Sequence, residues 1–191
     1  MNSHIVLELY NEKKLEHHAS ILANMVRQNP KLADWSVDEL EKLYASAVSG
    51  FQSKEGKHLE YIVEDLLEES KIPFISQVHL DSDGIIVKSG GCTIPDIVFG
   101  SPIVGDHISK YAVLSLKTSS RERGKLDTAW TNKHPPKLFL YGTLEQDYPQ
   151  PGAFNESPTR KLVCAVPKQK DNRHFKLGFE DILDEVMRAL S

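Results

Sequence analysis

Two apolar runs that each carry polar residues at one end most constrain how this chain can fold. They are Thr93-Ile94-Pro95-Asp96-Ile97-Val98-Phe99 and Tyr111-Ala112-Val113-Leu114-Ser115-Leu116-Lys117. Both are rich in β-forming residues, and Gly100-Ser101-Pro102 ends the first before the second begins. Side chains alternate along an extended chain, so Val113, Ser115 and Lys117 share one face while Leu114 and Leu116 take the other. If the two runs lie side by side, Asp96 can meet Lys117 at a strand end, where a scaffold presents polar groups to a ligand.

Around these runs the periodicities predict an α/β chain. Residues 12 to 28 repeat apolar positions at helical spacing, at Leu15, Ala19, Leu22 and Val26, and Asn29-Pro30 stops them. Ser36 followed by Glu39 is a capping box that opens a second helix through Leu40, Leu43 and Ala47 to Gly50. Residues 1–50 are therefore expected to be a small helical N-terminal part packed on a main domain of residues 51–191. A third helix, 53 to 70, carries Leu59, Ile62, Val63, Leu66 and Leu67 on one face and ends before Pro73. Its Glu64, Glu68 and Glu69 read as a solvated acidic face. Phe74 to Leu80 and Ile85 to Lys88 flank an Asp81-Ser82-Asp83-Gly84 turn and predict a hairpin. Asp127 to Lys133 is weakly helical, Leu138 to Leu144 and Lys161 to Val166 read as strands, Gln146 to Pro158 as an exposed loop, and Phe179 to Leu190 as an amphipathic helix. His4, His17, His18 and His58 have no metal-ligand spacing and are expected in solvent-facing or capping positions.

With 191 residues, 40% hydrophobic and 26% charged, the chain is long enough to bury a core. No apolar run reaches the roughly 18 to 20 residues of a membrane span, and Met1-Asn2-Ser3-His4 lacks a basic signal-peptide start, so a cytoplasmic location is expected. Cys92 and Cys164 are read as reduced structural thiols. A net charge of −4 excludes an all-over basic surface. The distribution is uneven: Lys110, Lys117, Arg121, Arg123, Lys125, Lys133 and Lys137 stand against only Glu122 and Asp127 in their stretch. A local basic face on an acidic protein suits a cleft that grips phosphates.

An acid and a lysine on adjacent strands, followed at once by Arg121-Glu122-Arg123, is the arrangement expected of a metal-dependent nuclease with base-reading residues attached. Phosphodiester hydrolysis needs an activated water, positive charge on the crowded transition state and a stabilised leaving oxygen. Asp96 can hold a hard cation, Mg²⁺ by its oxygen donors, and Lys117 can orient water or neutralise charge. Arg takes guanine O6 and N7 bidentately and Glu accepts from cytosine N4, so Arg121, Glu122 and Arg123 together specify G·C pairs.

The segments Thr93 to Phe99 and Ser115-Leu116-Lys117 resemble the PD-(D/E)xK nuclease motif in its PD…SxK variant, and Lys117 to Arg123 is similar to the EcoRII-type group of type II restriction endonucleases. Ser53 to Glu60 resembles the helix that precedes the nuclease sheet in that group. The resemblance spans about residues 50 to 145. It implies a nuclease core of helix, mixed sheet of about five strands and flanking helices, with strand order following helix, three-strand meander, helix, strand. It implies Glu60 as an acid facing the active site, beside Asp96, Ser115 and Lys117. Ser115 stands where the common motif has Asp or Glu, and a hydroxyl replaces an anionic ligand poorly. The group supplies a second carboxylate about thirteen residues beyond the lysine, which here is Trp130; Asp127, one helical turn earlier, is the best candidate, so the expected metal set is Asp96, Asp127 and Glu60. The activity implied is Mg²⁺-dependent cutting of double-stranded DNA at a near-palindromic site with CC…GG outer pairs (CCGG, CCNGG or CCWGG), by a homodimer, with a cognate DNA methyltransferase as functional partner. A nicking repair nuclease, or a non-cleaving DNA-binding protein that lost its carboxylate, are the alternatives, and Trp130 favours the latter.

Overall fold

A computed structural model describes residues 2–28, 36, 39, 52–117, 124–144, 157–164 and 177–191. Helix α1 spans Ser3–Gln28 and α2 Gln52–Glu68; strand β1 is Phe74–Ser76, β2 His79–Leu80, β3 Ile86–Val87, β4 Ile97–Phe99 and β5 Ala112–Lys117. Then come α3 (Gly124–Lys133), β6 (Leu138–Thr143), β7 (Arg160–Cys164) and α4 (Ile182–Leu190), with short 3-10 turns at Ile108–Lys110 and Phe179–Asp181.

The main sheet has the order β1-β4-β5-β6-β7. Strand β4 runs antiparallel to β1 and β5, whereas β5, β6 and β7 are mutually parallel. A parallel β5–β6 pair needs a crossover, and α3 supplies it. The order is that expected: helix, antiparallel meander, helix, strand.

Strand alternation divides the apolar residues between two layers. Ile97, Phe99, Leu114, Leu116, Leu140 and Val163 face a cluster closed by Val6 and Tyr10 of α1, Leu59, Ile62, Val63 and Leu67 of α2, and Ile182 and Val186 of α4. Val98, Val113, Phe139, Tyr141 and Leu162 face the other side, beneath the β2–β3 hairpin residues Val78, Leu80 and Ile86 and against Trp130 of α3. Gly142 is required on the first face, because a Cβ there would stand 2.9 Å from Leu116 Cδ2 and 3.5 Å from Phe179 Cζ. No helix among the described residues is long and apolar enough to cross a membrane.

Several expectations change in detail. The first helix begins at Ser3, and its buried stripe is Val6, Tyr10 and Ile21, whereas Leu15 and Val26 of the expected stripe are exposed. Apolar letters alone missed it because the stripe also carries half-buried Lys14, His17 and His18, whose stems and rings cover apolar surface. His17 and His58, each half-buried, meet edge to face between α1 and α2, ring centroids 5.4 Å apart. The Ser36/Glu39 capping box is present: Ser36 N–H donates to Glu39 Oε2 (2.9 Å) and Glu39 N–H to Ser36 Oγ (3.4 Å). The rest of that second helix, like most of the Gln146 to Pro158 loop, lies outside the described residues. The expected hairpin is real but shorter. Its first run breaks at Gln77, whose φ of 54° is left-handed, so Phe74–Ser76 joins the main sheet and only His79–Leu80 pairs with Ile86–Val87. Cys92 is a free, exposed thiol.

Candidate active site

The β4–β5 register, Ile97 opposite Leu114, sets Asp96 across from Ser115 at the end of the sheet where β5 finishes on Lys117. One oxygen of Asp96, Oδ2, collects the donors: Leu116 N–H at 2.7 Å, Lys117 Nζ at 3.0 Å and Ser115 Oγ at 3.1 Å. The ion pair is mostly withdrawn from water, with side-chain exposures of 15% for Lys117 and 12% for Asp96. At that burial Coulomb attraction is stronger than in a surface pair, and the three donors offset the cost of desolvating the carboxylate.

Glu60 joins them from α2. Its neighbours Leu59, Ile62 and Val63 are buried in the helical layer, which turns the half-buried Glu60 toward the strand ends. Burial, then the negative charge of Asp96, pushes its carboxyl from 4.5 up to about 7, Lys117 and Lys57 opposing the rise and Glu64 adding to it. The Nε2 of Gln77 donates to Glu60 Oε2 at 2.9 Å, and Gln77 N–H donates to the Asp96 carbonyl at 3.0 Å. Each acid thus has one oxygen committed to protein donors; Asp96 Oδ1 and Glu60 Oε1 receive none from the described residues. Two hard carboxylates, close enough for the charge of one to hold the other's proton, fit a divalent cation of the Mg²⁺ type. Among the described residues no set of three or more His, Cys, Asp or Glu side chains converges as metal ligands, so Asp96 and Glu60 stand as a pair.

The structure therefore brings together Asp96, Lys117, Ser115 and Glu60. Ser115 is buried, and its hydroxyl works as a donor to Asp96. It also lines a cavity of about 310 Å³ with Cys92, Thr93, Ile94, Pro95, Ala129 and Trp130. Trp130 packs edge-on against Phe139, centroids 5.8 Å apart, as part of the second apolar layer. Asp127 lies in the backbone of α3, but its side chain is outside the described residues, as are Arg121, Glu122 and Arg123 entirely. Of the basic run, Lys110 is held by Asp106 and Lys133 donates to the Ser82 carbonyl at 2.8 Å, so both serve local contacts. Gln77 is the site residue that sequence reading missed. Nothing in its type marks it; the only trace is a polar residue interrupting the apolar letters before the hairpin.

No family model and no curated protein matches the sequence. Solved structures do match in fold. Metal-depleted Ecl18kI in complex with uncleaved, modified DNA gives a TM-score of 0.57 at 16% identity, over 99% of this chain and 72% of the other. The restriction endonuclease PspGI in a substrate DNA complex gives 0.58 at 17% identity, over 98% and 80%. At such identities the likeness shows the fold: a mixed five-stranded sheet flanked by helices, with an N-terminal helix, as in these structures.

Proposed function

We propose that this chain is a type II restriction endonuclease of the EcoRII-like kind, hydrolysing double-stranded DNA with Mg²⁺ at a near-palindromic site with CC…GG outer pairs. The observation that carries it is the convergence of Asp96, Lys117 and Glu60 at one sheet end, in a fold shared with a restriction endonuclease in a substrate DNA complex.

Asp96 and Glu60 would hold the cation, with Asp127 the candidate third carboxylate; bound there, Mg²⁺ supplies positive charge to the phosphate and acidity to a nearby water. The chain's own residues do the rest. Leu116 N–H, Ser115 and Lys117 fix Asp96 Oδ2, so Oδ1 would be the oxygen left for a cation. Lys117, largely shielded from solvent, would offer its ammonium to the charge that accumulates on the scissile phosphate, and electrostatic stabilisation of that kind is worth most in a site that excludes water. Glu60, its carboxyl pushed up to about 7 by burial and then by the charge of Asp96, would give up that proton to a bound cation around neutral pH. Arg121, Glu122 and Arg123 follow Lys117 in sequence and are proposed to read the G·C pairs. A two-fold homodimer would apply that reading twice, and a cognate methyltransferase would protect the host's sites.

A second reading, a nicking or non-cleaving DNA-binding protein, is favoured by Ser115 in an acid's place and by Trp130 packed on Phe139. Incubation with a mixed-sequence plasmid and Mg²⁺ separates these. Discrete fragments support the restriction enzyme, nicked circles a nicking enzyme, and a mobility shift without cutting the binding protein.

A further inference from the structure

We propose that Gln77 is a positioning residue that sets the two metal-binding carboxylates against each other, tying the backbone of Asp96 to the side chain of Glu60. The inference rests on the metal-dependent reading of the site given above.

Three observations carry it. Gln77 donates twice into the site, from its backbone N–H to the Asp96 carbonyl (3.0 Å) and from Nε2 to Glu60 Oε2 (2.9 Å). It does so from the break where the chain leaves the main sheet for the hairpin, one residue after Ser76, which still pairs with Ile97. And it stands at φ 54°, a conformation that glycine adopts freely and a side chain with a Cβ does not. Lys71, the other non-glycine residue with positive φ among those described, follows the end of α2, where a left-handed residue commonly terminates a helix. Gln77 has no such helix end to account for it. Strain of this sort persists where the surroundings over-determine it, and here they do so through the two hydrogen bonds.

The type of side chain also matters. An amide N–H can fix a carboxylate oxygen without adding charge, so it orients Glu60 while leaving the negative potential for a cation. It engages Oε2 only, so Oε1 would remain for a cation. Asn would suit the left-handed backbone better but is one methylene shorter. Glycine would fit it with least strain and could not reach at all. This is the outer-shell arrangement that orients metal-binding carboxylates elsewhere, and losing such a partner typically costs about 10- to 100-fold in metal affinity or activity.

The test uses Mn²⁺ as probe, titrated into the DNA-free protein and followed by paramagnetic resonance, on wild type, Gln77→Gly and Gln77→Met. Gln77→Met keeps a side chain of similar length and the same backbone demand but lacks the donor; Gln77→Gly relaxes the backbone. Both are expected to melt within a few degrees of wild type and to bind metal-free DNA equally, yet to bind Mn²⁺ about 10- to 100-fold more weakly, with the Mg²⁺ needed for half-maximal cleavage raised in step. Wild-type Mn²⁺ affinity in both variants overturns the inference. So does a loss confined to Gln77→Gly, which would place the effect in the backbone and not in the amide. The wild type separates the two levels of failure: if it neither binds Mn²⁺ nor cuts DNA, the nuclease reading falls first.

Discussion

Glu60→Gln should make the metal-free protein more stable and, at the same time, poorer at its proposed chemistry. In the folded chain Glu60 holds its proton up to about 7, against 4.5 ordinarily, chiefly through burial and the charge of Asp96. The folded state therefore binds the proton more tightly than the unfolded state between these values. Stability falls as pH rises from about 4.5 to about 7, and the full cost is present above that window. At about 1.4 kcal/mol per pKa unit the shift corresponds to about 3 kcal/mol, but Glu60 is only half-buried and solvent screens it, so about 1 to 2 kcal/mol is the working figure. Glutamine keeps an oxygen for Gln77 Nε2 and cannot ionise, so the variant escapes the cost. For a chain of this size the gain is about 2 to 8 °C in melting temperature at pH 8 with EDTA present, and it nearly closes near pH 4.5. Urea unfolding of both proteins across pH 4.5 to 8 reads it directly. Parallel stability curves for wild type and Glu60→Gln would refute the claim that Asp96 and burial strain this carboxylate. Cleavage by the more stable protein should be impaired, the trade between stability and function expected where like charges are held together.

Removing Asp96 should, by contrast, cost stability: Asp96→Ala strips Leu116 N–H and Ser115 Oγ of their acceptor, so chemical denaturation should show a loss of about 1 to 3 kcal/mol, less for Asp96→Asn. In Mg²⁺ titrations of cleavage, Asp127→Ala and Glu60→Ala are expected to raise the requirement more than any other acid substitution outside Asp96; greater sensitivity at Glu64 or Glu145 would show the carboxylate set to be wrong. Arg121→Ala or Arg123→Ala should relax discrimination at the outer G·C pairs, each bidentate contact being worth about 1 to 3 kcal/mol, as measured by cleavage rates on site variants. Fragment ends at sites without paired CC and GG steps would remove this base-reading assignment while leaving the nuclease intact.

How much of this was legible in the sequence depends on which letters carry the signal. The β4 and β5 runs were plain because strict alternation sorts Leu114 and Leu116 from Val113, Ser115 and Lys117, and all but the half-buried Lys117 at the strand end are buried. The Asp96–Lys117 contact was legible on the condition that the two runs pair side by side, which they do. The stripe of α1 was misread because a helix begun at residue 12 leaves out Val6 and Tyr10, and because Lys14, His17 and His18 bury partly despite their polar atoms and a hydrophobic count ignores them. The split of the first hairpin strand turns on one residue, Gln77, whose left-handed backbone is held by tertiary hydrogen bonds that no local propensity encodes. Glu60 could be singled out only through the family resemblance, since its helix offers Glu64 and Glu68 as equal candidates by letter. What distinguishes it is its position beside Asp96 and its perturbed proton affinity.

The most direct test of the central claim, that Asp96, Lys117 and Glu60 form a metal-dependent phosphodiesterase site, is single-turnover cleavage of plasmid DNA by wild type and Lys117→Ala purified side by side. Wild type is expected to produce discrete fragments with Mg²⁺ and none with EDTA, while Lys117→Ala binds the same DNA and leaves it intact. Cutting by Lys117→Ala at a rate near that of wild type, or fragments that persist in EDTA, would contradict the account.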